Sequence, residues 1–327
     1  MPKCKLDLIL DEPDVVHPGG GTISGRVEVT VDKDVTCKGL EVRTHWTTHG
    51  RGNIDIGSED KVIIYQGDWR AGHRATYAFE VPISEWPPTY HGHHLNIEHF
   101  VEARANIPWA FDPKASQPFQ MHSTKHQGSG KKSSYKQGGF NWIGLLFAFA
   151  AIAFFFNTGP RLLNMPSIGV WFLGGLGLLV LVFWIIRSVL PKWALGSVSA
   201  ELDAESYCTG GTIGGTISIS PRKSVQINGI QMTVSGEEKC VSGSGSNRRT
   251  HRHTLFEGKE QLAESMILNP GHPNQFALGF TLPADAPPSI DLDDNEIEWS
   301  VDLRIDIPSW PDWYISMPIQ INPEHST

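Results

Sequence analysis

The sequence predicts a mainly β protein in which two antiparallel β-sandwiches flank a two-helix transmembrane hairpin. Three observations carry that expectation. Five blocks of sequence occur twice in the same order, side chains inside those blocks alternate between apolar and polar, and two long apolar runs separate the copies. The 327 residues suit about two domains, each large enough for its own core.

The first copy opens with Pro18 to Val29, PGGGTISGRVEV, and the second with Cys208 to Ile219, CTGGTIGGTISI. Lys38-Gly39-Leu40 then corresponds to Asn228-Gly229-Ile230, the stretch Phe79 to Pro82 to Phe280 to Pro283, and Pro87-Pro88 to Pro287-Pro288. Last, IEHFVEARANIPW from Ile97 falls against IEWSVDLRIDIPSW from Ile297. The offset widens from 190 to 200 residues, which places an insertion in the second copy at SGSGSNRRTHRH, Ser242 to His253, read as a loop.

Within the blocks the period is two. Val101, Ala103, Ala105 and Ile107 alternate with Glu102, Arg104 and Asn106, and Val301, Leu303, Ile305 and Ile307 alternate with Asp302, Arg304 and Asp306. Such a strand buries one face and wets the other. Glycine clusters ahead of Ile23 and Ile213 supply turns with positive φ. With no amphipathic helix outside the apolar runs, residues 1–121 and 196–323 each read as a sandwich.

Between the copies, residues 122–139 form a basic Gly/Ser-rich linker and residues 140–190 the expected hairpin. Residues 140–158 begin FNWIGLLFAFAAIAFFF, and residues 168–190 read IGVWFLGGLGLLVLVFWIIRSVL, with Arg187 the only charge in either. Each suits a helix of roughly 20 residues crossing about 30 Å of hydrocarbon. Lys125, Lys131, Lys132, Lys136, Arg187 and Lys192 flank the outer ends, against Arg161 alone in the intervening turn. The positive-inside bias therefore puts both β domains in the cytoplasm of an integral membrane protein. The opening MPKCKLDLILDEP agrees, having no apolar run of signal-peptide length. Cys4, Cys37, Cys208 and Cys240 are then expected as reduced thiols.

Formal charge is -8, from 27 basic and 35 acidic residues. Seven of the basic residues and none of the acidic ones lie between His122 and Lys192, so the rest of the chain carries -15. A surface that acidic repels phosphate backbones and argues against nucleic-acid binding. Four cysteines are too few for a disulfide scaffold.

The order PGGGTISGRVEV, Lys38-Gly39-Leu40, AFEVPISEWPPTYHG and IEHFVEARANIPW resembles the amino-terminal arrestin fold. FTLPADAPPSI and IEWSVDLRIDI resemble the carboxy-terminal arrestin domain. The resemblance spans about 230 residues and extends to the retromer cargo-binding subunit and bacterial sporulation-control proteins. It implies arrestin- or immunoglobulin-like sandwiches in a non-enzymatic adaptor that grips a protein partner with loops and sheet edges. The chain departs from that pattern where a basic linker and two apolar runs replace a short hinge. The interdomain charge cluster and phosphate-sensing lysines of animal arrestins have no residue-by-residue match.

Several constellations have both a chemical and a plain structural meaning. Pro87-Pro88-Thr89-Tyr90 fits a PPxY ligand of WW domains, but its counterpart Pro287-Pro288-Ser289-Ile290 favours a structural turn. His91-Gly92-His93-His94 is the densest histidine group; a solvated turn is the first reading and a metal pair the second, so whether His91, His93 and His94 bind metal stays open. His251-Arg252-His253 reads as a mobile loop, Asp293-Asp294 and Glu59-Asp60 as solvated turns, and Arg104 and Arg304 as cross-strand partners of carboxylates. Lys131, Lys132 and Lys136 suit either topology setting or anionic lipid.

Catalytic motifs are missing: there is no G-x-S-x-G, H-E-x-x-H, C-x-x-C or Walker A sequence. No catalytic, cofactor-binding or metal residue is assigned, and the chain is expected not to be an enzyme. The expected function is a membrane-anchored adaptor at the cytoplasmic membrane surface, with a membrane-associated protein and, through two helices, the lipid bilayer as partners. The alternative is an accessory subunit of a larger membrane transport, secretion or enzyme complex, docked through the hairpin.

Overall fold

The period-two alternation becomes strand wherever the chain is described. The computed structural model describes residues 3–109, 111–124, 134–136, 175–176, 179, 183, 195–271, 274–308 and 311–323. The first half holds β1 (Cys4–Leu10), β2 (Val16–Pro18), β3 (Thr22–Val31), β4 (Val35–Gly50), β5 (Ile56–Ser58), β6 (Val62–Trp69), β7 (Arg74–Pro82), β8 (Tyr90–His91), β9 (Leu95–Asn106) and β10 (Lys114–His122). Next come β11 (Ser134–Lys136), β12 (Ser197–Leu202), β13 (Ser206–Cys208), β14 (Thr212–Ser220), β15 (Val225–Ile227) and β16 (Gly229–Ser242). The chain continues with β17 (Arg249–Ala263), β18 (Met266–Leu268), β19 (Asn274–Thr281), β20 (Ile290–Asp291), β21 (Asn295–Asp306) and β22 (Trp313–Asn322).

In the first half a sheet β1-β3-β7 packs on a larger sheet β2-β10-β9-β4-β5, to which β6 and β8 add. In the second, β11-β12-β14-β19 packs on β13-β22-β21-β16-β17, joined by β20, with a small β15-β18 ribbon. Each half carries one short parallel pairing, β2 with β10 and β13 with β22, in otherwise antiparallel ladders. The inward residues of both sheets meet in one core per half: Val27, Val29 and Val81 against Val42, Val101 and Ala103 in the first, Ile213 and Ile217 against Val234, Val301 and Leu303 in the second.

The repeat is repeated chemistry. Arg104 pairs with Asp112, and Arg304 with Asp312 at 2.7 Å. The double-proline segments are turns: the Thr89 hydroxyl accepts from the Met121 amide and the Ser289 hydroxyl from the Ile321 amide, both at 2.9 Å. A ring nitrogen then ties each turn to its sheet, His99 Nε2 to the Pro87 carbonyl at 3.0 Å and Trp299 Nε1 to the Pro287 carbonyl at 3.1 Å. The space for the larger indole is made opposite it. Trp46 stands across from His99 and Gly236 across from Trp299, where an added Cβ would lie 2.9 Å from the ring.

A second matched pair is Gly25 and Gly215, where an added Cβ would lie 2.4 Å from the carbonyl oxygens of Ile9 and Glu201. The neighbouring strand's backbone cannot yield cheaply. Gly25→Ala is expected to lose about 1–3 kcal/mol in urea denaturation, a cost in the range of overpacking; a loss within error would mean that β1 and β3 separate freely.

Three expectations are corrected. Among the described residues no helix is long and apolar enough to cross a membrane. Nearly all of 140–158 and 168–190 lies outside the described residues; only Gly175, Leu176, Leu179 and Phe183, all helical, are described there. The transmembrane hairpin is withdrawn, and with it the integral-membrane localisation, the bilayer as a partner and docking through the hairpin; apolarity along a run does not by itself report a spanning helix. Within the 122–139 linker, Ser134–Lys136 is a strand that covers the free edge of β12, with Tyr135 set edge-on to Trp313 at 5.7 Å. The Ser242 to His253 stretch is a hairpin: a short 3-10 turn at Gly245–Asn247 and then β17, in which His251, Arg252 and His253 pair with Cys240, Lys239 and Glu238.

Candidate functional site at the junction of the two halves

The long strands β4 and β16 each end by offering a polar residue to the other half. Along β16 the buried face runs Met232, Val234, Gly236, Glu238 and Cys240, so Glu238 stands in phase with an apolar row. Its relative exposure is 0%. A buried carboxylate is tolerated only when its oxygens are hydrogen-bonded, and the donors come from the first half. The Tyr90 hydroxyl and the His93 amide donate to Oε1 at 2.7 and 2.9 Å, and the His94 amide donates to Oε2 at 2.6 Å. Gly92 makes the approach possible, since a Cβ there would sit 1.7 Å from Oε1. Burial and the carboxylate push the Tyr90 phenol well up, so it stays a donor.

The reciprocal contact is built around Thr48, the matching residue of β4, also buried. Asn295, at the start of β21, donates from Nδ2 to the Asn53 carbonyl at 2.7 Å, to Asp55 at 2.8 Å and to the Thr48 hydroxyl at 3.3 Å. Asn53 is held on every side. Its amide donates to the Val241 carbonyl, its Nδ2 to Asp294 at 2.7 Å and to the Gly243 carbonyl at 3.1 Å, and its Oδ1 accepts from the Gly243 amide at 3.0 Å. The apolar side of the junction is continuous as well: Leu95 and Ile97 of β9 belong to the second half's core, with Trp46, Trp86 and Tyr90 packed on it. Asn53→Ala is expected to loosen the junction by about 1–3 kcal/mol, because Asp294 and the Gly243 amide and carbonyl each lose a hydrogen-bond partner. Faster hydrogen exchange of the Gly243 amide reads this; an unchanged rate would remove Asn53 from the latch.

The candidate residues of the sequence therefore divide. His91-Gly92-His93-His94 and Asp293-Asp294, expected as solvated turns, are the two turns that cross the junction; His94 is buried, and Asp294 accepts from Asn53 and from Arg248 at 3.3 Å. Sequence reasoning missed Glu238, Asn53 and Asn295. A carboxylate in phase with Met232 and Val234 was the available signal for Glu238; for the asparagines there was none. Pro87-Pro88-Thr89-Tyr90 is not presented as an extended ligand, with both prolines buried and Tyr90 committed to Glu238.

The chemistry of the site is that of a latch. Burial pushes the Cys240 thiol, and Cys4 in the first core, up to about 11, which keeps both protonated and weakly nucleophilic at neutral pH. Among the described residues no three His, Cys, Asp or Glu side chains are placed to hold a metal ion. Beside the latch the two proline turns face each other across a cleft of about 400 Å³, lined from both halves by Val16, Pro88, His91, Thr209, Pro288 and Pro323.

No protein-family model and no curated protein sequence matches the chain. Among solved structures it is similar to Spo0M, a sporulation control protein from Bacillus subtilis, at 22% identity and a TM-score of 0.32 over 39% of this chain. The chain covers 49% of that protein. The likeness is loose, and the layered β architecture rests on the sheets described above.

Proposed function

We propose that the chain is a non-enzymatic adaptor of the arrestin-like kind, which grips a protein partner with both halves at once. The observation that carries this reading is the reciprocal latch: each half inserts a turn into the other, so surfaces contributed by two sandwiches are held in one fixed relation. Two weak contacts presented together act with the avidity of an intramolecular second step. The cleft between the proline turns is shared by both halves, and Trp109 and Phe111 stand almost fully exposed in the β9–β10 loop of the first. The sequence motifs shared with arrestin-like proteins point the same way.

Capture with the tagged full-length chain and with Asn53→Ala tests it. A partner that dissociates from the variant at least about tenfold faster supports joint gripping. Equal retention by the variant, or turnover of a substrate by the purified chain, overturns it.

A further inference from the structure

Four histidines from the two halves meet beside Glu238. His93 and His253 stack with ring centroids 4.1 Å apart and planes at 24°. His94 lies 4.5 Å from His93, 5.6 Å from His253 and 6.2 Å from His251. His93 and His94 belong to the β8–β9 turn and His251 and His253 to β17, so three of these four contacts cross the junction. His94 is buried, and its Nδ1 has no hydrogen-bond partner.

This packing suits neutral rings. Protonating stacked imidazoles sets like charges face to face, and protonating His94 buries a cation whose new N–H has no acceptor. The facing charges do not offset this. Arg51, after β4, faces His94 as another cation. On β17, Arg252 is held by Glu237 at 2.8 Å, and Arg248 before it by Asp294. On β16, Lys239 is held by Glu296 and Glu298, and on β4 His49 is paired with Glu98 at 3.5 Å. Glu238 is the carboxylate facing His94, and its oxygens already accept from Tyr90 and from the His93 and His94 amides.

We propose that this histidine cluster is an acid-triggered release for the junction: protonation of the buried His94, packed against the stacked rings of His93 and His253, separates the two halves. The sign follows from linkage. Burial first, then Arg51 and His93, hold the His94 ring below its ordinary value against the pull of Glu238. A base so held favours the closed junction fully above about pH 6.5, and that preference drains away as pH falls from there through the depressed value. The release concerns the unliganded chain and stands apart from the adaptor reading.

Hydrogen exchange of the His93 and His94 amides reads the junction directly, since both bond Glu238 across it. After correction for intrinsic rates, their protection in the full chain should fall on the order of tenfold between about pH 7.5 and about pH 5.5. Amides in the middle of β9 and β21 should keep theirs. His94→Gln and the double variant His93→Gln/His253→Gln should each blunt the fall. Unchanged protection in the wild-type chain overturns the proposal, as does an undiminished fall in both variants. If a variant does not fold, an NMR titration of the wild-type histidine rings decides: a His94 ring that protonates in step with lost protection supports the release, and one that stays neutral while protection is lost overturns it.

Discussion

Glu238→Ala is expected to destabilise the protein by about 3–5 kcal/mol and to uncouple its halves, the range found when one partner of a buried charged network is removed. The side chain has no exposure, and its loss leaves the Tyr90 hydroxyl and two backbone amides without acceptors. Its place is closed by the Tyr90 hydroxyl and the His93-His94 turn on one side and by its strand partners His253 and Ile297 on the others. Urea denaturation should show a lower midpoint and two separated transitions, one per core. Glu238→Gln keeps one acceptor but turns an amide NH2 toward donors, so it should fall between wild type and alanine. A single transition with less than about 1 kcal/mol lost would show that the latch is ornamental.

Acid is expected to destabilise the first half through His99, by about 3 kcal/mol over the full titration. The ring is 1% exposed. Burial holds its pKa down at about 4, against an upward pull from the Pro87 carbonyl and a further downward push from His45. Unfolding returns the ring to its ordinary value of about 6.5, so the unfolded chain binds the proton more readily. Stability is therefore complete above about pH 6.5 and falls away between there and about pH 4. His99→Gln keeps a donor for Pro87 and cannot titrate; its stability should be lower at neutral pH yet flatter across this window. An equal slope in both proteins would place the acid sensitivity elsewhere. The second half supplies the internal control, because Trp299 makes the same bond to Pro287 without a titratable ring.

The two predictions draw on parts of the molecule that were unequally legible. Strand alternation at Val101 to Ile107 and Val301 to Ile307 announces β9 and β21, and the matched Pro-Pro segments announce turns, because a period of two and a double proline are local facts; that Thr89 and Ser289 accept from the Met121 and Ile321 amides, 32 residues on, is not. The apolar runs misled for a related reason. Hydropathy along a chain reports what a segment avoids, not the helix that would carry it across a bilayer. His251 to His253 misled in the other direction: a Ser/Gly-rich approach looks like loop, while pairing with β16 makes those residues strand.

Length, charge, duplication and the strand periods follow from residue order alone, since each is a matter of neighbours in the chain or of one copy set against another. Only the folded structure decided that Glu238 and the His93-His94 turn, 145 and 144 residues apart, share a hydrogen-bonded latch. A buried polar junction is satisfied by partners from the opposite half, and nothing in local sequence records which distant amide will face which carboxylate once two cores have packed together.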